Sequence, residues 1–227
     1  MQKIVVLNPK GGAGKTTLAT NIASYYARQG SEPLLMDYDA QGSSVRWVEK
    51  RPSGLPPVRG IAAFRKNLRV TRSWQLHIPA ASQVAIVDTP AGMDPRLSPE
   101  VMRNADFLIV PVLPSDIDIH ASYQCLTELI KMQKSGMHRA RILIIANRVK
   151  RHSRMLYPLR DMADDLQVPL IATLGDSQNY VVAAEQGKGI FDMEGRSAAK
   201  ELRQWRLLTE CLIPPRALDL LPLASHA

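Results

Sequence analysis

Short apolar runs alternate with amphipathic stretches along the 227 residues. Lys3 to Leu7 predicts a first strand. After a glycine cluster, Thr16 to Gln29 predicts a helix, with Leu18, Ile22, Tyr25 and Tyr26 at helical spacing and Gly30 as its stop. Pro33 to Met36 predicts a second strand ending in Asp37. Val84 to Val87, closed by Asp88, has the unbroken apolar character of a strand covered on both faces. Phe107 to Val112, Ile142 to Ala146 and Pro169 to Ala172 predict three more strands. Ile119, Tyr123, Leu126 and Ile130 mark a helix with Asp118 as its N-cap. Residues 51–60 (RPSGLPPVRG) read as a loop, and a closing helix is predicted over Arg196 to Ile213, stopped by Pro214-Pro215. This alternation predicts an α/β fold, a mostly parallel twisted sheet flanked by helices. A single domain is expected over residues 1–213, with a poorly ordered tail at 214–227.

Composition adds three constraints. Apolar residues make up 45% of the chain but aromatics only 5%, so aliphatic side chains must fill the core. The first apolar run, Ile4 to Leu7, is too short for a secretory signal, and no stretch is long enough to span a bilayer, so a cytoplasmic protein is expected. Cys125 and Cys211 lie far apart in helical contexts and are expected as reduced thiols.

Charge changes the picture further. The formal net charge of +8 points to an acidic partner such as nucleic acid. From Leu129 to Arg160 there are nine basic residues and no acidic ones: Lys131, Lys134, Arg139, Arg141, Arg148, Lys150, Arg151, Arg154 and Arg160. The rest of the chain is therefore close to neutral. Lys150, Arg151 and Arg154 are the first candidates for contact with a polyanion. Arg196, Lys200 and Arg203, at spacings of four and three, are expected to share one face of the closing helix.

The most specific chemistry lies between the first strand and the first helix. A phosphate-binding loop needs glycines that let several N–H groups converge, a helix N-terminus, a lysine and a hydroxyl for magnesium. Gly11, Gly12, Gly14, Lys15 and Thr16 supply these in order. The common pattern G-x-x-x-x-G-K-[ST] fails at its first glycine, where Pro9 stands, and a second lysine, Lys10, follows. Asp88, at the end of an apolar strand, is placed to hold magnesium, with Gly92 leaving the next loop free to respond to a phosphate. Alternation along the second strand sends Asp37 and Asp39 to one side, toward magnesium and the attacking water. Asn147, after the Ile142 to Ala146 strand, offers an amide for an adenine edge, and Arg148 a guanidinium to stack on the base.

Lys10-Gly-Gly-Ala-Gly-Lys-Thr-Thr, Asp37-Tyr-Asp-Ala-Gln41 and Val84 to Gly92 together resemble the ParA/MinD family of deviant Walker ATPases. The resemblance is specific over residues 1–118 and diffuse beyond. It implies a P-loop NTPase fold, ATP and Mg2+ as cofactors, and a homodimer closing over two nucleotides. In this resemblance Lys10 matches the signature lysine that reaches a partner's phosphates. Ala13 lies within the phosphate loop, while Lys15, Thr16 and Thr17 match the phosphate and magnesium contacts. Asp39 matches the residue that positions the hydrolytic water, and Asp88 the Walker B aspartate. Ala40 stands where the ParA branch often has proline.

Because the loop begins so close to Met1, the short ParA branch is the expected one. The resemblance then implies a nucleoid-associated protein that coats double-stranded DNA without sequence preference, answers to a small ParB-like activator, and positions or segregates a cargo. Plasmid DNA and a protein organelle such as the carboxysome both fit. A MinD-like membrane-associated positioning ATPase, or a DNA-coating protein using ATP only as a structural ligand, are the alternatives. Prolines at 214, 215 and 222 and a single basic residue, Arg216, argue against a membrane-binding tail. An iron–sulfur reductase would need cysteines in the Asp88 to Asp94 loop, which has none.

Overall fold

The computed structural model describes residues 1–64, 82–193 and 195–212. Seven parallel strands form one sheet in the order β3-β2-β4-β1-β5-β6-β7. They are β1 (Gln2–Val6), β2 (Leu34–Asp37), β3 (Arg59–Ala62), β4 (Val84–Asp88), β5 (Phe107–Val112), β6 (Arg141–Val149) and β7 (Leu170–Gly175). The helices are α1 (Lys15–Arg28), α2 (Ser43–Glu49), α3 (Pro99–Met102), α4 (Asp116–Lys134), α5 (Leu156–Asp165), α6 (Gln178–Glu185) and α7 (Ala199–Leu212). The chain leaves β1 toward one edge, returns to place β4 beside β1, and then builds outward through β5. The switch in direction therefore falls at β1, where open α/β sheets place their ligands.

Strand alternation divides the core into two layers. Ile4 and Val6 of β1 face Leu18 and Ile22 of α1 and Trp205 and Leu208 of α7. Val5 faces the other way, toward Leu126 and Leu129 of α4 and Leu159 of α5. Buried aliphatic residues dominate both layers, and the five residues of β4 are all buried.

Most predicted elements appear with shifted ends. Gly30 closes α1 at φ +79, its N–H donating to Ala27 O. The α4 cap is Ser115, whose hydroxyl accepts from Asp118 N; Asp118 lies inside the first turn and is not the cap. Serine wins because its extended backbone precedes the helix while its oxygen reaches a free N–H. The buried stripe of α4 runs through Ser122, Cys125, Leu126, Leu129 and Met132, leaving Tyr123 exposed. Within the predicted loop 51–60, Arg59 and Gly60 begin edge strand β3. The closing helix starts at Ala199, so Arg196 precedes it and does not share its face with Lys200 and Arg203. Both cysteines are free thiols, and the 214–227 tail lies outside the described residues.

Behind α1, Arg51 and Asp192 form a bidentate ion pair at 2.8 and 3.1 Å, both side chains almost fully buried. Ser24 of α1 also donates to Asp192, so the pair fastens the end of α2 and the turn Ile190–Asp192 to the helix that carries the phosphate loop.

Candidate functional site

The loop between β1 and α1 takes its shape from two glycines. Gly12 and Gly14 lie at φ +78 and +89, where a side chain is strained. Asn8 pins the start of the loop: its amide donates to Pro111 O and Ser122 Oγ, and its Oδ1 accepts from Lys10 N. At sequence level Asn8 was indistinguishable from an ordinary turn residue. Lys15 is 7% exposed, and its Nζ donates to Asn8 O and Lys10 O, both at 3.0 Å. Burial lowers the Lys15 ammonium below its ordinary value, while the nearby Asp88 and Asp39 charges oppose the shift.

Strand register brings the carboxylates together. Val6 of β1 and Asp37 of β2 each pair with Asp88 of β4, so the phosphate loop and both aspartates leave one edge of the sheet. Thr16 Oγ1 donates to Asp88 Oδ2 at 2.8 Å, and Ser44 Oγ donates to the same oxygen at 2.5 Å. Asp88 Oδ1 is buried without a hydrogen-bond partner. Burial raises the Asp88 carboxyl to about 6, against the Ser44 and Thr16 hydrogen bonds; Asp37 pushes it up further and Lys15 pulls it down. Ser44 was missed because nothing local in the sequence links it to a strand more than forty residues away.

This donor set fits Mg2+. A hydroxyl and a carboxylate with one unsatisfied buried oxygen are hard ligands, and Mg2+ usually takes few protein ligands besides water and phosphate oxygens. Asp37 has a different role from the one expected. Its Oδ1 accepts from Asp39 N, and its Oδ2 accepts from Ser44 N and Val45 N, capping the start of α2. Fully buried and bonded to backbone, Asp37 does not line the cavity, whereas Asp39 does.

The cavity over the loop measures about 460 Å³, the size of a small-molecule site. Gly11, Gly12, Gly14, Lys15, Thr16 and Thr17 form its floor, while Ala13 is turned inward and buried. Asp39 and Thr89 stand at one side; Asn147, Arg148, Gly175, Asp176, Ser177 and Tyr180 form the other. Asn147 reaches back to the loop, its Nδ2 donating to Ala13 O at 2.8 Å. Arg148, at φ +52, bonds Asp176 at 3.2 Å. Gly92, at φ +72, donates its N–H to Pro9 O, tying the loop after β4 to the phosphate loop. Lys10 is half-buried and is not among the cavity-lining residues.

The nine basic residues from Lys131 to Arg160 are all exposed, but they do not share one surface of the protomer. Arg141 opens β6 and Arg148 stands near its other end, roughly 23 Å apart along an extended strand. Lys131, Lys134 and Arg139 lie at the edge where strands begin. Lys150, Arg151 and Arg154 lie at the cavity edge, as do Lys200 and Arg203, because α7 starts beside the cavity wall and ends at Gln2.

A glycine-shaped loop between the first strand and its helix, with a buried lysine and a hydroxyl–carboxylate pair at the switch point of a parallel sheet, defines a phosphate-loop nucleotide-binding protein. Residues 4–190 match the CobQ/CobB/MinD/ParA nucleotide binding domain, and the chain belongs to that family. It is 30% identical over 207 residues to the maintenance of carboxysome distribution protein A of Halothiobacillus neapolitanus, covering 88% of this chain and 93% of that one. It is 25% identical over 224 residues to the septum site-determining protein MinD of Buchnera aphidicola, covering 82% and 83%. Among solved structures, apo McdA of Cyanothece superposes with a TM-score of 0.73 at 17% identity, over 94% of this chain and all of that one. At that identity the superposition establishes the fold alone. No helix among the described residues is long and apolar enough to cross a membrane.

Proposed function

We propose that this chain is an ATP-hydrolysing positioning switch of ParA type, dimeric with ATP and Mg2+, which moves or spaces a cargo over nucleoid DNA. The observation that carries the reading is the Thr16–Asp88 pair: a hydroxyl bonded to a buried carboxylate whose other oxygen has no partner. Both groups stand beside Lys15 and the converging loop amides. A bound Mg2+ would supply charge neutralisation for phosphoryl oxygens.

The chain's own residues supply the remainder. Loop N–H groups and Lys15 bind and orient the phosphates. Asp39, half-buried at the cavity side with Oδ1 accepting from Gln41 N, is placed to orient the attacking water. Lys10, outside the cavity of its own protomer, is free to reach a partner's nucleotide. ATP and Mg-ADP complexes among the structural neighbours support the choice of ligand. The relative named for carboxysome distribution favours a protein organelle over a plasmid as cargo, with a small ParB-like protein as activator.

Light scattering with ATP and Mg2+ tests the switch. A monomer–dimer shift with ATP, absent with ADP and lost in Lys10→Ala, is expected. A Lys10→Ala chain that dimerises and turns over like the parent would remove Lys10 from the interface. Turnover with and without DNA and activator separates an enzyme from a protein that holds ATP only as a structural ligand. Sedimentation with anionic vesicles tests the MinD-like alternative; ATP-dependent recruitment there would replace DNA as the surface.

A further inference from the structure

The cavity wall facing the phosphate loop is built at the β7–α6 junction by Gly175, Asp176, Ser177 and Tyr180. Two of these are held from behind by α7. The Gly175 N–H donates to Gln204 Oε1 at 3.0 Å. The Trp205 indole N–H donates to the Tyr180 hydroxyl at 2.9 Å. Glu201, one turn earlier on α7, is buried as well.

Glu201, Gln204 and Trp205 stand at i, i+3 and i+4, a single stripe of the helix. Trp205 is fully buried, so its tie to Tyr180 is shielded from water. Burial pushes the Glu201 carboxyl up, yet the nearby polar groups of Ser177, its own N–H and Asn179 outweigh it and hold it below the usual range. Its Oε2 is buried without a partner.

We infer that α7 sets the base-side wall of the cavity, with Gln204 and Trp205 acting as positioning residues for the part of the nucleotide beyond its phosphates. This rests on the nucleotide-switch reading above. The two ends of the cavity are carried by different elements, although α7 also packs on β1 through Trp205 and Leu208. Gly11 to Thr17 and Asp88 are carried by β1, α1 and β4, whereas the opposite wall hangs on β7 and α6 and is fastened by α7. Loss of the Gln204 tie therefore acts on the β7–α6 wall, which carries none of the phosphate-loop residues.

Displacement of a fluorescent ATP analogue, by ATP or by inorganic tripolyphosphate with Mg2+, separates the two ends. The parent chain is expected to bind ATP more tightly than tripolyphosphate. Gln204→Leu removes the acceptor opposite Gly175 N–H. It is expected to weaken ATP by roughly fivefold to tenfold, the effect of one buried hydrogen bond, and to leave tripolyphosphate within about twofold. If it fails to fold by circular dichroism, Trp205→Phe, which keeps an aromatic ring but lacks the N–H for Tyr180, gives the same comparison. Equal weakening of both ligands, or no change for ATP, overturns the inference and leaves α7 as support for the fold. A parent that binds ATP and tripolyphosphate alike overturns it while sparing the phosphate-loop reading. A parent that binds neither overturns both.

Discussion

Asn147 and Gly14 are fitted to one another: a β-carbon on Gly14 would lie 2.2 Å from Asn147 Nδ2, the atom that donates to Ala13 O. The phosphate loop is thus clamped by the end of β6, five strands along in sequence but near in space. The asparagine serves the loop whether or not its remaining polar groups also meet a base.

Gly14→Ala is accordingly expected to abolish tight nucleotide binding. The residue sits at φ +89, where a side chain costs about 1–2 kcal/mol, and the new methyl displaces the Asn147 amide. Asn147→Ala should weaken ATP by about tenfold through the lost buried hydrogen bond. Calorimetric titration of both variants checks this; an Asn147→Ala chain with parental affinity would show that the loop holds its shape unaided.

Asp39→Ala should separate binding from chemistry. The chain is expected to bind ATP and dimerise while its stimulated turnover falls about a hundredfold or more, because phosphoryl transfer depends on positioning and charge. Phosphate-release kinetics at saturating ATP measure it. Unchanged turnover would move water positioning to another residue lining the cavity.

His138 gives the free protein a pH dependence. Its ring is buried, Nε2 contacts Leu129 O, and Nδ1 has no partner. Burial lowers its pKa from the ordinary imidazole value of 6.5, against the Leu129 hydrogen bond. The unfolded chain therefore binds the proton at higher pH than the folded one. Stability from this residue is complete above about pH 6.5 and is lost as pH falls through the interval below it. Urea unfolding of the parent and of His138→Leu, compared at pH 7.5 and 5.5, should show the smaller drop in the variant. Parallel drops would assign the acid sensitivity to carboxylates.

Binding to duplex DNA by the ATP dimer should be steeply salt-dependent. With about five phosphate contacts the logarithmic slope would be near −4.5, a loss of roughly 500-fold between 50 and 200 mM salt. Because Lys150, Arg151, Arg154, Lys200 and Arg203 lie at the cavity edge of the sheet, replacing one of them, in both protomers at once, should reduce the slope by about one to two. Lys131→Ala, at the opposite edge, serves as the control. A slope lowered equally by Lys131→Ala, or binding equal with ADP and ATP, would count against this surface.

Several features were legible in the chain before any folding. The phosphate loop, the apolar run ending in Asp88 and the strands β1, β4 and β5 were readable because each depends on residues adjacent in sequence. Glycines at φ above zero, a lysine after them and an uninterrupted aliphatic strand are local requirements of the backbone and of two-sided burial. The helix α2 and strand β3 were not readable, since Ser43–Glu49 is short and Arg59–Ala62 is an edge strand with little apolar signal. Only the tertiary structure decided the roles of the polar residues. Asp37 and Asp39 look equivalent in sequence, yet packing of α2 buries one under three N–H groups and leaves the other facing the cavity. The acid-free run from Lys131 to Arg160 reads as one basic patch, but β6 carries its two halves to opposite edges of the sheet. Ser44 and Gln204 acquire partners more than twenty residues away, and hydrogen bonds across such distances follow from strand register and helix packing.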